Sequence, residues 1–423
     1  MNFGIIMYQT SRSKGQELVA QRITAELNRQ GQRAHLITSR FHDSKPVISK
    51  TELSRSGDAV IREDDVLGIP VVRVSSSQDA WTPRRANFDN FMPILDRLVK
   101  QLELDVLLTH STLWNGPEIA ARFVAWNRKL RTEYPDRKEV LLCQMSHYQP
   151  PAHTRYDPKE RTYREVWNEH SLARIIREAD LLLVTTPLAA RAMQSLGADK
   201  DRCLVFPGGI DVPPERTGED IAEFRKRHDL SGSRIVSYLG TMEERKNPMA
   251  VLDVARELQA KKDLVFVLGG RPEGHYGRRI IGAAKKLRNV AVIGEVSEGD
   301  KASLIRSSYL NITMSRLEAL GLAQLEFMSA GVPVVSSGVG GQSWIVQHGY
   351  TGIVLGGPED VSGAVRAVSS LADNLARRNW LGRNAREFAE HFSMERLVAG
   401  LISRLKEIRE GRPRGRPARL PGT

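Results

Sequence analysis

The sequence predicts an α/β fold made of two doubly wound, Rossmann-like domains. Three observations predict it. Short apolar runs rich in β-branched residues recur along the 423 residues and alternate with segments of helical composition. Both halves open alike: FGIIMYQT (3–10) and RIVSYLG (234–240) read as strands, each followed by a polar loop and a helical segment. The length allows two domains, each able to bury a core of its own.

The first strand leads through SRSKGQ into a helix at 17–30 and then into a second strand, RAHLIT. This β–loop–α–β unit puts Lys14 and Gly15 just before a helix start, where they serve as a phosphate or acceptor contact, or only as a turn. Glu63, Asp64 and Asp65 precede the strand VLGIPVVRV; without further ligands they read as a solvated turn rather than a metal site. The strand DVLLTHS leaves His110, Ser111 and Thr112 at its C-terminal end, where open α/β sheets bind ligands. The strand in EVLLCQMSHYQPP ends likewise at Ser146 and His147. A helix at 163–179 and the strand DLLLVTTP close the first domain.

The second domain begins after CLVFPGGIDV (203–212). Its first strand runs into TMEERKNP, a cationic loop holding Arg245 and Lys246 ahead of a helix from Pro248 to about residue 260. A positive loop between strand and helix suits phosphate. DLVFVLGG, NVAVIGEV and TGIVL supply further strands, and an amphipathic segment at 381–408 reads as a final helix. The expected division is 1–212, 213–385, a C-terminal helix at 386–410 and a disordered tail at 411–423, where arginines alternate with Pro and Gly.

Composition narrows the function. No apolar run approaches the roughly 20 residues that span a bilayer, and the N-terminus is too early-polar for a signal peptide. Cys143 and Cys203 lie in apolar strand contexts and read as buried thiols rather than a disulfide or metal site. A cytoplasmic protein is the expectation. The net charge of +12 favours an anionic partner. No nucleic-acid motif is visible, so nucleotide diphosphates or peripheral contact with an anionic membrane remain.

The most informative stretch is SRLEALGLAQLEFMSAGVPVV (315–335), set between the strands YLNITM and VPVVSS. Residues 322–330 have helical composition and are stopped by Gly331 and Pro333. Glu318 lies in the loop and Glu326 in the helix. Eight helical steps would set them about 12 Å apart, near the reach of a nucleotide sugar from hexose to ribose hydroxyls. The helix start between them, at Gly321, Leu322 and Ala323, offers unpaired N–H groups to a diphosphate. The bland alternative is a solvated loop Glu and a Glu on an exposed helix face.

This stretch resembles the donor-site signature of the retaining nucleotide-sugar glycosyltransferases with the GT-B fold, family 4 (glycosyl transferases group 1). Members read S-x-x-E-G-F-G-L-x-x-L-E-A-M-A-x-G-x-P-V-V; Ser315, Glu318, Gly321, Leu322, Leu325, Glu326, Met328, Gly331, Pro333, Val334 and Val335 match, while Ala319, Leu320 and Phe327 depart. The likeness extends over most of the chain. CLVFPGGIDV resembles the family's linker between lobes, and the family loop G-R-x-x-x-x-K is met by Gly240 and Lys246, with Thr241 in place of the Arg and Arg245 as its candidate replacement. Gly340 and Gly341 match a G-G-x-x-E loop in which Trp344 stands at the Glu. The family's first lobe carries a His that contacts the transferred hexose, and His147 matches it.

The resemblance implies two facing lobes with a cleft between them and a final helix returning to the first. It implies transfer of a hexose from a UDP-, GDP- or ADP-linked donor to a sugar, lipid or small-molecule acceptor, with anomeric configuration retained. Glu326 would bind ribose, Glu318 and His147 the hexose, and Lys246 with the helix start the diphosphate. No D-x-D motif occurs in a donor-site context, so no metal or other cofactor is expected. A nucleotide-sugar epimerase on the same fold and a non-catalytic sugar-nucleotide binder are the alternatives.

Overall fold

The computed structural model describes residues 1–11, 15–63, 68–79, 85–147, 162, 165–210 and 215–411. The chain forms two compact units. The first runs from Met1 to Gly208 and resumes at Met394; the second is Gly209–Ser393. The division at Gly208 falls inside the CLVFPGGIDV stretch, and each unit holds one large sheet.

The sheet of the first unit is built from β1 (Asn2–Met7), β2 (Arg33–Ser39), β3 (Ala59–Glu63), β4 (Pro70–Val74), β5 (Val106–His110), β6 (Leu141–Met145), β7 (Leu181–Val184) and β8 (Cys203–Val205). Their spatial order is β8-β7-β6-β5-β1-β2-β4-β3. All neighbours are parallel except β3, which runs antiparallel at the edge. β5, β6 and β7 are buried at every position, as continuous apolar runs require when helices cover both faces. α1 (Gly15–Arg29) follows β1, and α2 (Asn115–Glu133) follows β5.

The second unit's sheet comprises β9 (Arg234–Leu239), β10 (Leu264–Gly269), β11 (Val290–Gly294), β12 (Ser308–Thr313), β13 (Val334–Ser336) and β14 (Gly352–Val354). It is wholly parallel, in the order β11-β10-β9-β12-β13-β14. α3 (Pro248–Glu257) follows β9, α4 (Glu298–Ser307) precedes β12, and α5 (Leu322–Ser329) follows it. Pro248 opens α3, where its missing N–H costs nothing. Ser297 caps α4 by accepting from the Asp300 amide.

The order of each sheet decides where a ligand can sit. Chain direction across the sheet reverses between β1 and β5 in the first unit, and between β9 and β12 in the second. At such a reversal the two following connections leave to opposite faces and open a crevice at the strands' C-terminal ends.

Several expectations are corrected. The segment 381–408 is two helices, α6 (Leu375–Glu390) and α7 (Met394–Arg409), and only α7 belongs to the first unit. The break is fixed where the Ile210 amide donates to the Phe392 carbonyl and Ile210 bridges Ser393. α7 is held to its own unit by Arg404, whose guanidinium donates to the Asp201 carbonyl at 2.9 Å, and by Arg409 on Asp105 at 3.2 Å. The helix expected at 163–179 carries a π-helical turn at Asn168–Leu172. α3 stops at Glu257, short of 260. Cys143 is buried, but Cys203 is only half-buried. The side chains of Glu63, Asp64 and Asp65 and the tail from 412 lie outside the described residues. Among the described residues, no helix is long and apolar enough to cross a membrane.

Candidate functional site

In the second unit the crevice between β9 and β12 is bordered by the two loops that carry the sequence-predicted residues. After β9 the chain passes Gly240 and makes a single 3-10 turn, Glu244–Lys246. After β12 it runs through Ser315 to Glu318 and enters α5. The loops are zipped together. The Arg316 amide donates to the Arg245 carbonyl at 2.8 Å, and the Arg316 guanidinium to the Glu244 carbonyl at 3.2 Å. Arg245 returns the contact through Nη1 to the Leu317 carbonyl at 3.2 Å. Lys246 Nζ donates to Glu318 Oε2, with both side chains largely shielded from water.

A buried polar network holds the floor of this loop. Gln342 is fully buried; its Oε1 accepts from Ser336 Oγ at 3.0 Å and Ser337 Oγ at 3.1 Å, and its Nε2 donates to Thr313 Oγ1 at 3.3 Å. Ser337 Oγ also lies 2.8 Å from the Ser315 carbonyl, so its single O–H is shared between that carbonyl and Gln342 Oε1. Such a network, once satisfied, fixes one arrangement.

The glycine pair beyond β13 presses on the same loop from the other side. A Cβ on Gly340 would stand 2.1 Å from the Glu318 carbonyl oxygen, and one on Gly341 2.1 Å from that of Ala319. The Gly341 amide donates to the Glu318 carbonyl at 3.1 Å. These glycines therefore allow a close backbone approach that shapes the Glu318 loop. Trp344, at the position where the resemblance places a Glu, packs its ring edge-on against Phe392 at 5.1 Å and joins the core.

Gly321 begins α5 in the left-handed region, with φ of 103°. Leu322 and Ala323 are its first two helical residues, and both are half-buried. Residues Gln324 to Ser329 are buried all round the helix, so Glu326 is a carboxylate in a helix without a solvent face. Lys301 on α4 neutralises it, with Nζ 3.2 Å from Glu326 Oε1 and 2.8 Å from Glu298 Oε2. Buried charges need such partners. Arg245 is 41% exposed and paired with Glu243 at 2.5 Å.

In the first unit, Gly15 is exposed at the start of α1, and Lys14 lies outside the described residues. His110 ends β5 and is fully buried; His147 lies two residues beyond β6 with φ of 46°. Parallel pairing of β5 with β6 sets Met145 beside His110 and so brings the two rings together, His110 Nδ1 standing 3.4 Å from His147 Nε2. Burial, then the neighbouring imidazole, holds His110 well below the ordinary histidine range, and burial pushes His147 down to about 4.

The structure thus gathers Gly240, Arg245, Lys246, Glu318 and Gly321 around one crevice and places Glu326 on the helix that leaves it. Gly15 and His147 belong to the other unit. Lys301, Arg316 and Gln342 are supporting residues that the sequence reading missed. A basic residue near a buried helical Glu was the one available signal for Lys301, and its distance along the chain hid it.

Comparison with known proteins gives two family models. Glycosyl transferases group 1 matches residues 220–388, and the Glycosyl transferase 4-like domain matches residues 14–209. A D-inositol 3-phosphate glycosyltransferase of Geodermatophilus obscurus is 29% identical over 266 residues, 59% of this chain and 57% of that protein. One from Nocardia farcinica is 28% identical over 323 residues, 73% of this chain and 68% of that protein. The matched stretch is therefore less than two thirds of the first relative's length. Among solved structures, Anabaena Alr3699/HepE in complex with UDP superposes with a TM-score of 0.69 at 18% identity, covering 96% of this chain and all of that one. Sucrose-phosphate synthase from Thermosynechococcus elongatus gives 0.70 at 16%, covering 97% and 99%. At these identities the likeness is one of fold.

Proposed function

Because this chain belongs to the group 1 glycosyl transferases with the GT-B fold, we propose that it transfers a hexose from a nucleotide-sugar donor to an acceptor with retention of configuration. The observation that carries this reading is the Lys246–Glu318 pair beside the start of α5, at the point where the second sheet reverses direction. The helix start and Lys246 meet the diphosphate, Glu318 and His147 the hexose hydroxyls, and Glu326 the ribose. In the reaction the bond from the anomeric carbon to the donor phosphate breaks. One to an acceptor oxygen forms, the acceptor proton is lost, and the nucleoside diphosphate leaves. The chain's contribution is to position both partners and to stabilise charge on the leaving diphosphate.

Similarity to a UDP complex makes UDP-sugars the first donors to test, followed by GDP- and ADP-sugars. The names of the relatives make an inositol phosphate the first acceptor, ahead of other sugars and lipids. The net charge of +12 suits phosphorylated substrates and peripheral contact with anionic lipid alike.

The test is nucleoside diphosphate release from each donor with and without acceptors. Release that depends on an acceptor, with a retained glycosidic product, is expected. An epimerised sugar nucleotide, or binding without turnover across the donor panel, would overturn the reading. Transfer is expected to persist in excess chelator, because Lys246 and the helix start neutralise phosphate charge. Loss in EDTA with recovery on adding Mg²⁺ or Mn²⁺ would refute that part.

A further inference from the structure

We infer that His110 is a positioning residue that fixes the tautomer of His147, leaving His147 to present an Nδ1–H donor to the hexose. This rests on reading His147 as a hexose contact. The pair's geometry is that of an in-plane hydrogen bond. The ring planes are 30° from parallel and the centroids 5.6 Å apart, while the facing nitrogens are 3.4 Å apart. The centroid separation exceeds the nitrogen–nitrogen distance by about two ring radii, so the nitrogens point at each other along the line joining the rings. Face-to-face stacking does not have this geometry.

The direction of the bond follows from what surrounds His110. Its ring is fully buried, and its Nε2 has no hydrogen-bond partner among the described residues. An imidazolium there would bury a charge and strand an N–H. A neutral ring protonated on Nε2 would also strand an N–H, in a place where unpaired buried donors are rare. The remaining form keeps only a lone pair on Nε2 and carries its proton on Nδ1. That proton is donated to His147 Nε2, and His147 must then hold its own proton on Nδ1.

The backbone around His110 is held by its neighbours. Trp114 Nε1 donates to the His110 carbonyl at 2.8 Å. The Ser111 amide donates to the Met145 carbonyl at 2.8 Å, and Gln144 Nε2 to the Ser111 carbonyl at 2.6 Å. These bonds tie the ends of β5 and β6 together, so the spacing of the two imidazoles is set by the sheet.

Two variants separate the role from mere packing. His110→Asn keeps an amide nitrogen the same number of bonds from the backbone as Nδ1; His110→Phe keeps a ring and removes the donor. Long-range proton–nitrogen spectra of histidine-labelled full-length protein read the tautomer directly. We expect His147 protonated on Nδ1 in the wild type and in His110→Asn, and shifted toward the Nε2–H form in His110→Phe. The kcat should fall about tenfold in His110→Phe, with donor KM nearly unchanged, and recover in His110→Asn. A wild-type His147 protonated on Nε2, or spectra alike in all three proteins, would overturn the inference even if His110→Phe proved too unstable for kinetics. His147→Ala with wild-type transfer would instead remove the reading of His147 as a hexose contact, and the tautomer measurement tells the two failures apart.

Discussion

Lys246 donates to the carboxylate of Glu318 across 72 residues of sequence, and both side chains are mostly out of water. The pair joins the two loops that border the crevice of the second unit. An ammonium held there by a carboxylate is placed before any diphosphate arrives.

Removing either cation of the first loop should therefore have unequal effects. Lys246→Ala deletes the cation paired with Glu318 and leaves that carboxylate uncompensated, so kcat/KM should fall by at least a hundredfold, about 2.7 kcal/mol. Arg245→Ala should cost about tenfold, or 1.4 kcal/mol, because Arg245 also holds the Leu317 carbonyl. Steady-state kinetics on the two variants decide it, and wild-type kcat/KM in Arg245→Ala would leave Lys246 as the loop's only working cation.

A methyl group is enough to test the glycine contact. Gly340→Ala drives a Cβ to within 2.1 Å of the Glu318 carbonyl oxygen from a backbone with φ of 58°. We expect a loss of about 1–3 kcal/mol in stability and a clear fall in kcat. Gly282→Ala, inside the helix Gly274–Ala284 with nothing within 4 Å of the new Cβ, should gain about 0.4–1 kcal/mol. Denaturant midpoints of the two variants moving together would count against the contact.

Much of this was legible in the sequence, and the reasons differ by residue. Most of the parallel strands were visible because buried parallel strands are continuous apolar runs, whereas the antiparallel edge strand β3 was missed, its terminal Glu63 having been read as part of a turn. Glu318, Gly321 and Glu326 stood out because a carboxylate, a glycine at a helix start and a second carboxylate follow each other within one strand–helix unit. Lys301 was not legible, since the pairing of α4 with α5 is a tertiary fact and any of several lysines could have served. The division of the last helix was hidden for the opposite reason: HFS at 391–393 contains no Gly or Pro, and the break is set by bonding to Ile210. The Gly340–Gly341 turn was seen, but its close approach to Glu318 has no local signature.

Acidification should weaken the first unit through its histidines. Burial holds His147 at about 4 and His110 well below its usual range, whereas both titrate near about 6.5 in the unfolded chain. Between those values the unfolded chain binds more protons, so stability is full above about pH 6.5 and falls as pH drops toward 4. His147 is only half-buried, which reduces its share. His147→Gln should lose less stability than wild type between about pH 7 and pH 5. Identical losses in urea melts at the two pH values would show that His147 does not carry the effect.

Glu326 lies in the buried stretch Gln324–Ser329 of α5, and Lys301 Nζ stands 3.2 Å from its Oε1. Stripping the cation while keeping the bulk, as in Lys301→Met, leaves a carboxylate that must find water or take up a proton. Breaking a pair this shielded costs about 3–5 kcal/mol when nothing else compensates. Both side chains have further interactions, so about 1–3 kcal/mol is the expected loss. A protonated Glu326 would accept fewer hydrogen bonds from ribose hydroxyls, so donor KM should rise about tenfold while kcat changes little. Lys301→Arg should retain most of both. Glu298 also touches Lys301, but it is 75% exposed, so Glu298→Gln should change stability by no more than about 0.5 kcal/mol. If Lys301→Met and Glu298→Gln behave alike in melts and in donor KM, Glu326 does not depend on Lys301 for its charge.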